Sequence, residues 1–172
     1  MLRVDEWQTV RDALWPEPDQ RQWFQAERSS THADGSFHLT RLERDKENRP
    51  VLLMARVWAG GGQVQYLHVT AQRPGPNGQE ALLIASMHGG LARLRDLRVH
   101  TIGKGLGSIC LRLAEELFVT HGVREVTGWL SDADYESRPR QVHFYEKNGY
   151  NVMLTGKTGT VRKRFAPEPQ AD

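Results

Sequence analysis

Gly103, Gly105 and Gly107 lie within the segment Ile102-Gly103-Lys104-Gly105-Leu106-Gly107-Ser108, and their spacing suits the binding of an anion. Beyond them Leu106, Ile109, Cys110, Leu113, Ala114, Leu117 and Phe118 recur at helical spacing. Before them runs a strand-like stretch over 91–99, so the glycines occupy the turn where a strand becomes a helix. The first turn of a helix leaves backbone N–H groups without intrahelical partners, and the aligned peptide dipoles place positive potential there. Glycines let a ligand approach those N–H groups without meeting a Cβ. A phosphate or pyrophosphate is the natural occupant.

Several glycine turns fit that description in part. A Walker loop needs Lys-Ser or Lys-Thr directly after its last glycine, whereas Lys104 falls inside the turn. A dinucleotide-binding turn needs G-x-G-x-x-G, and the spacing here is G-x-G-x-G. A strand-to-helix turn with no ligand stays open as the plainest alternative. A second segment helps to choose. Phe144-Tyr145-Glu146-Lys147-Asn148-Gly149-Tyr150 reads as the end of a helix that Ser137 would cap and that Pro139 would enter in its first turn. Gly149 suits the left-handed position just past the helix end. A strand over 124–130 separates the two segments.

The first segment resembles motif A of the Gcn5-related N-acetyltransferase (GNAT) superfamily, Q/R-x-x-G-x-G/A. Gly105 and Gly107 match it, while Ile102 stands where the motif has Gln or Arg. The second resembles the same family's F-Y-x-K-x-G-F/Y signature. Both occur in the family's order, the resemblance covers residues 91–150 well and the rest loosely, and on this pair the chain is identified as a member of that superfamily. The resemblance implies an α+β fold: a central, twisted, mostly antiparallel sheet with helices on both faces and two strands splayed at the acetyl-coenzyme A site.

It also implies roles. Backbone N–H groups of Ile102, Gly103, Lys104, Gly105, Leu106, Gly107 and Ser108 would hold the pyrophosphate of acetyl-coenzyme A, which acts as co-substrate. Leu97, Arg98 and Val99 would pair with its pantetheine arm, and Asn148 would contact the arm from the later helix. An amine would attack the thioester directly, with no covalent enzyme intermediate, so the protein must orient the reactants, accept a proton and stabilise the departing thiolate. Tyr145 matches the tyrosine that serves the thiolate in many relatives, and the reference pKa values of a phenol and a thiol lie within about two units. Tyr145 could instead only pack its helix onto the sheet. Asp96 is the candidate base, with an ion pair to a neighbouring arginine as its alternative; strand alternation puts it with Arg98 on one face and Leu97 with Val99 on the other. Ser131, Asp132 and Asp134 would line the mouth where a cationic acceptor arrives, or merely form a turn. A non-catalytic module that binds an acyl-coenzyme A as a sensor, or a protein partner, is the alternative to an enzyme.

These residues need elements to position them. In a chain of 172 residues the expectation is a single domain over 1–166 with a frayed polar tail over 167–172. Val4, Trp7, Val10 and Leu14 suggest one helix, and Asp19 with Gln22 opens a second. Strands follow at about 36–45, 49–58, 63–72, 81–87 and 91–99, one more than the family pattern ahead of motif A. Either the hairpin near 36–58 is an addition, or one strand has been divided. A closing hairpin is expected at 151–155 and 160–165, split by Gly156 and Gly159.

A net charge of +2 gives no argument for nucleic acid. Lys157, Arg162, Lys163 and Arg164 approach a basic run, but alternation would divide them between faces. The single cysteine, Cys110, excludes an intrachain disulfide and sits on the apolar stripe of its helix. The seven histidines form no metal-binding pattern, so no metal is expected. No apolar run suggests a leader or a membrane span, which leaves a cytoplasmic protein as the expectation. The partner expected is a small-molecule or protein amine, without membrane or nucleic acid, and a homodimer is left open.

Overall fold

The computed structural model describes residues 29–31, 35–60, 63–73 and 79–165. The two expected N-terminal helices, the Gly61-Gly62 and 74–78 turns, and the C-terminal tail lie outside the described residues. Within them the order is β1 (Ser29–Thr31), β2 (Phe37–Arg44), β3 (Pro50–Ala59), β4 (Gln65–Gln72), β5 (Gln79–His88), β6 (Leu91–Val99), α1 (Leu106–Thr120), β7 (Glu125–Leu130), a 3₁₀ helix η1 (Asp132–Ser137), α2 (Arg138–Lys147), β8 (Asn151–Thr155) and β9 (Thr158–Arg164). The strands form one sheet in the order β1-β2-β3-β4-β5-β6-β7-β9-β8. Every pair is antiparallel except β6 with β7. Short turns suffice for the antiparallel pairs, whereas a parallel pair needs a crossover, and α1 supplies it.

Alternation sets which face is buried. Leu67, Val69 and Ala71 of β4 and Ala81, Leu83 and Ala85 of β5 are fully buried beneath α1. The helix answers with the expected stripe: Leu106, Ile109, Cys110, Leu113, Ala114, Leu117 and Phe118 are all buried. Burial pushes the Cys110 thiol up to about 12, so it is a packing residue and not a nucleophile. α2 lies beside α1 on the same face, with Phe144 against the first turn of α1. Helices for the other face were expected from the N-terminal segment, outside the described residues.

The extra strand is real. β2 pairs with β3 from Phe37↔Val57 through Arg44↔Pro50, so the 36–58 stretch is a full hairpin and not one strand divided. The short β1 adds a further edge that three residues gave no periodicity to reveal. Gly159 corrects the expected closing hairpin. It lies inside β9 opposite Leu130 and Leu154 and makes no break. A Cβ there would fall 2.8 Å from Leu154 Cδ2, so this glycine permits close strand packing, and the turn belongs to Gly156 at φ +58.

Candidate functional site

The site begins where β6 and β7 part. They pair only from Leu91↔Glu125 to Leu94↔Gly128, yet β6 continues to Val99 and β7 to Leu130. Across β6 and β5 the register slips, because Ile84 faces Asp96 while Ala85 faces Leu94. Arg95 is therefore an extra, unpaired residue, a bulge that bends β6 away from β7. Among the described residues the β7-facing edge of residues 96–99 has no strand partner, so its backbone groups are left for something else. The expected alternation holds beyond the bulge: Leu97 and Val99 pack toward the core, and Arg98 lies out at 73% exposure in a 2.6 Å ion pair with Asp96. An open cleft of about 1840 Å³ runs along this gap. Small-molecule pockets span roughly 300–1,000 Å³, so there is room for an extended ligand and a second reactant.

The glycine turn closes one end of the cleft. Gly103 (φ +86) and Gly105 (φ +83) are both left-handed, which explains two of the three glycines. The first intrahelical bond runs from Ile109 N–H to the Gly105 carbonyl at 3.1 Å, so the N–H groups of Leu106, Gly107 and Ser108 precede it. No acidic side chain sits in that first turn. Gly107 serves packing: a Cβ there would stand 3.1 Å from Phe144 Cε2 and 3.2 Å from Val99 Cγ2. Ile102, Gly103, Gly105, Leu106, Gly107 and Ser108 line the cleft. Lys104 does not; its ammonium pairs with Glu47.

α2 supplies a further wall. Its start is displaced from simple capping, since Ser137 Oγ donates to the Asp134 carbonyl (3.0 Å), while Pro139 takes the expected early position. Gly149 ends it at φ +82. Phe144 and Tyr145 line the cleft, and Tyr145 meets Phe144 and Tyr150 edge to face at 5.1 and 5.5 Å. Burial, and then the nearby Asp96 carboxylate, push the Tyr145 phenol up to about 12. At neutral pH it is a hydrogen-bond donor. Tyr145 and Asp96, far apart in sequence, thus face the same gap. Asn148 lies behind the wall: its Nδ2 donates to Ser108 Oγ (3.2 Å) and the Phe144 carbonyl (2.7 Å), tying the end of α2 to the start of α1.

Directly after β7 Ser131 accepts from the Ala133 N–H (3.3 Å) as the cap of η1, a short helix where only a loop was expected. Ser131 and Asp134 line the cleft and Asp132 does not. Arg138 stands just behind them, 5% exposed, donating from Nη2 to the carbonyls of Ser131 (2.7 Å) and Lys157 (2.8 Å). This buried arginine was missed, because its partners are main-chain atoms that no motif encodes. The basic run of β9 is divided between faces as expected: Arg162 and Arg164 pair with Glu125, whereas Lys163 turns to Glu115 on α1 at 2.7 Å. Lys46, from the β2–β3 turn, also lines the cleft and carried no sequence signal. Among the described residues no group of His, Cys, Asp or Glu is placed to hold a metal ion, and no helix is long and apolar enough to cross a membrane.

No family model matches the chain. One curated relative, the uncharacterized protein YocC of Bacillus subtilis, is 33% identical over 54 residues, which is 31% of this chain and 33% of that protein. Solved structures give broader matches. The GNAT domain of S. lividans PAT superposes with a TM-score of 0.59 at 10% identity, over 73% of this chain and 97% of that one. The ribosomal-protein-S18-alanine N-acetyltransferase of Escherichia coli gives 0.51 at 18% identity, over 66% and 77%. The PaiA N-acetyltransferase of Thermoplasma acidophilum, in complex with coenzyme A, gives 0.50 at 19% identity, over 58% of this chain and 61% of its own length. With a mostly antiparallel sheet, one parallel pair that splays, and a glycine turn opening the crossover helix, this chain has the fold of the Gcn5-related N-acetyltransferase superfamily.

Proposed function

We propose that this protein is an N-acetyltransferase that passes an acetyl group from acetyl-coenzyme A to an amine by direct attack within a ternary complex. The observation that carries the reading is one cleft in which the free start of a helix, a strand edge without a strand partner among the described residues and a half-buried phenol converge. The free N–H groups of Leu106, Gly107 and Ser108 hold the pyrophosphate. The open edge of Leu97 to Val99 orients the pantetheine arm, delivering the thioester into the gap between β6 and β7. The amine arrives from the end lined by Ser131 and Asp134. Asp96 accepts its proton, directly or through water, and the Tyr145 hydroxyl donates a hydrogen bond to the sulfur as the C–S bond breaks.

Ile102, at 56% exposure beside the turn, favours a second reading: an apolar residue there adds nothing to anion binding, which suits a module that holds an acyl-coenzyme A without turnover. Two measurements decide. Acetyl-coenzyme A should raise the melting temperature of the purified protein, since a ligand that binds only the native state stabilises it. A thiol-release assay over a broad panel of amines and amine-bearing peptides should then show turnover. A melting shift without turnover selects the sensor, and no shift refutes both.

A further inference from the structure

We infer that Lys46, carried on the turn of the added β2–β3 hairpin, is a ligand of the coenzyme A pyrophosphate, bringing to the glycine turn a cation not already committed, as the turn's own Lys104 is to Glu47. This rests on the acetyl-coenzyme A reading of the cleft.

The hairpin is seated on the phosphate turn. The Lys46 N–H donates to the Lys104 carbonyl at 3.1 Å, joining the hairpin tip to the glycine segment by backbone. The Lys46 side chain then lies along Gly105: its Cγ would be 3.0 Å from a Cβ at that position, and Cδ and Cε follow at 3.5 and 3.6 Å. Gly105 is thus left-handed and also covered by a lysine stem, so a side chain there would displace Lys46. Lys46 is exposed and borders the cleft. Among the described residues it has no ion pair, whereas its neighbour Lys104 is held by Glu47 and Arg98 by Asp96. Of the two lysines at the turn, the free one is the one that faces the ligand.

The tip is also held rigidly. Asn48 takes the left-handed conformation at φ 61, and its N–H donates to the Asp45 carbonyl at 3.0 Å. The Asp45 carboxylate, fully buried, accepts from the N–H groups of Glu47 (2.8 Å) and Arg49 (3.0 Å) and from Arg49 Nε (3.1 Å). It also pairs with Arg73 at 3.4 Å. Arg73 pairs in turn with Glu80 (2.9 Å), which accepts from Thr101 Oγ1 (2.5 Å) at the entrance to the glycine turn. One polar chain, Asp45–Arg73–Glu80–Thr101, therefore fixes the hairpin tip and the phosphate turn relative to each other. An ammonium placed this way loses little freedom on meeting a phosphate, and the contact adds to the backbone N–H bonds.

The test measures binding of acetyl-coenzyme A, acetyl-dephospho-coenzyme A and acetyl-pantetheine by calorimetry at low salt, for wild type, Lys46→Met and Lys46→Arg. Methionine keeps the stem over Gly105 and the backbone bond to Lys104, and circular dichroism confirms that the variants fold. Lys46→Met should weaken both pyrophosphate-bearing ligands about tenfold and leave acetyl-pantetheine unchanged, with Lys46→Arg restoring most of the loss. Salt should weaken wild-type binding more than binding by the methionine variant. Equal affinities of wild type and Lys46→Met for acetyl-coenzyme A overturn the inference while leaving the cofactor site intact. An effect lost with the dephospho ligand overturns the assignment to pyrophosphate. If wild type binds no acetyl-coenzyme A, the reading of the cleft falls, and the inference with it.

Discussion

Replacing Tyr145 by Phe isolates one hydroxyl. The ring remains to meet Phe144 at 5.1 Å and Tyr150 at 5.5 Å, so the wall of the cleft survives. No hydrogen bond to another described residue uses the hydroxyl, and stability should change by less than about 0.5 kcal/mol. The catalytic effect should be much larger. With its phenol pushed up to about 12, only about one molecule in 10⁵ is ionised at pH 7, so the donor is always armed. A hydrogen bond to a charged group contributes about 1.5–3 kcal/mol, and the loss of one preorganised donor costs roughly 10²–10³ in rate. We expect kcat to fall about 10²-fold while the KM for acetyl-coenzyme A stays within about twofold, since the hydroxyl acts only as the sulfur becomes charged. The assay is thiol release at saturating amine. Repeated with an acetyl thioester of a more acidic thiol, it should show a smaller defect, because that leaving group needs less help. Nor should the wild-type rate fall between pH 7 and 10 through ionisation of this phenol. A folded Tyr145→Phe protein with unchanged kcat would refute the assignment and leave the tyrosine as packing.

Asp45→Asn should lower Tm by about 6–12 °C. It removes the carboxylate from a buried pair, a loss of about 3 kcal/mol once Arg49's 46% exposure is discounted, at about 2–4 °C per kcal/mol. Burial opposes the Asp45 charge, but the amides of Arg49 and Glu47 and the Arg49 guanidinium outweigh it and hold this carboxyl below its usual range; the Thr101 hydroxyl and Arg73 do the same for Glu80. Both groups therefore stabilise the fold above the ordinary carboxylate pKa and cease to do so as pH falls through their lowered values. Thermal melts from pH 7 to 2 should show wild type losing stability below about pH 4, with Asp45→Asn falling less steeply; parallel curves would contradict the network. At the acceptor end, Asp134 borders the cleft and Asp132 does not, so Asp134→Asn should raise the KM of a cationic amine at low salt and Asp132→Asn should leave it alone. Equal effects of the two would mean that these carboxylates only shape η1.

Features confined to one element were legible in the residues alone. The buried stripe of α1, the glycine turn before it, Gly149 beyond α2 and the outward Arg98 all follow from periodicity or from a φ that glycine tolerates. So did the excess strand, although only its eight paired positions with β3 showed that it was not a divided one. What the residues left open depends on partners distant in the chain. The bulge at Arg95 exists only as a mismatch between β5 and β6, and a register shift leaves no mark on either strand read by itself. Gly159 reads as a turn until β7 and β8 close on both sides of it. Lys46 and Asp45 look like ordinary charged residues of a hairpin turn. Folding brings that turn 57 residues along the chain to the glycine segment, where Glu47 meets Lys104. Periodicity located the helix start that could hold an anion because an N-terminal helix turn is a local structure. Which side chains stand beside it was decided by the sheet, because only tertiary contacts place one hairpin against another element's end.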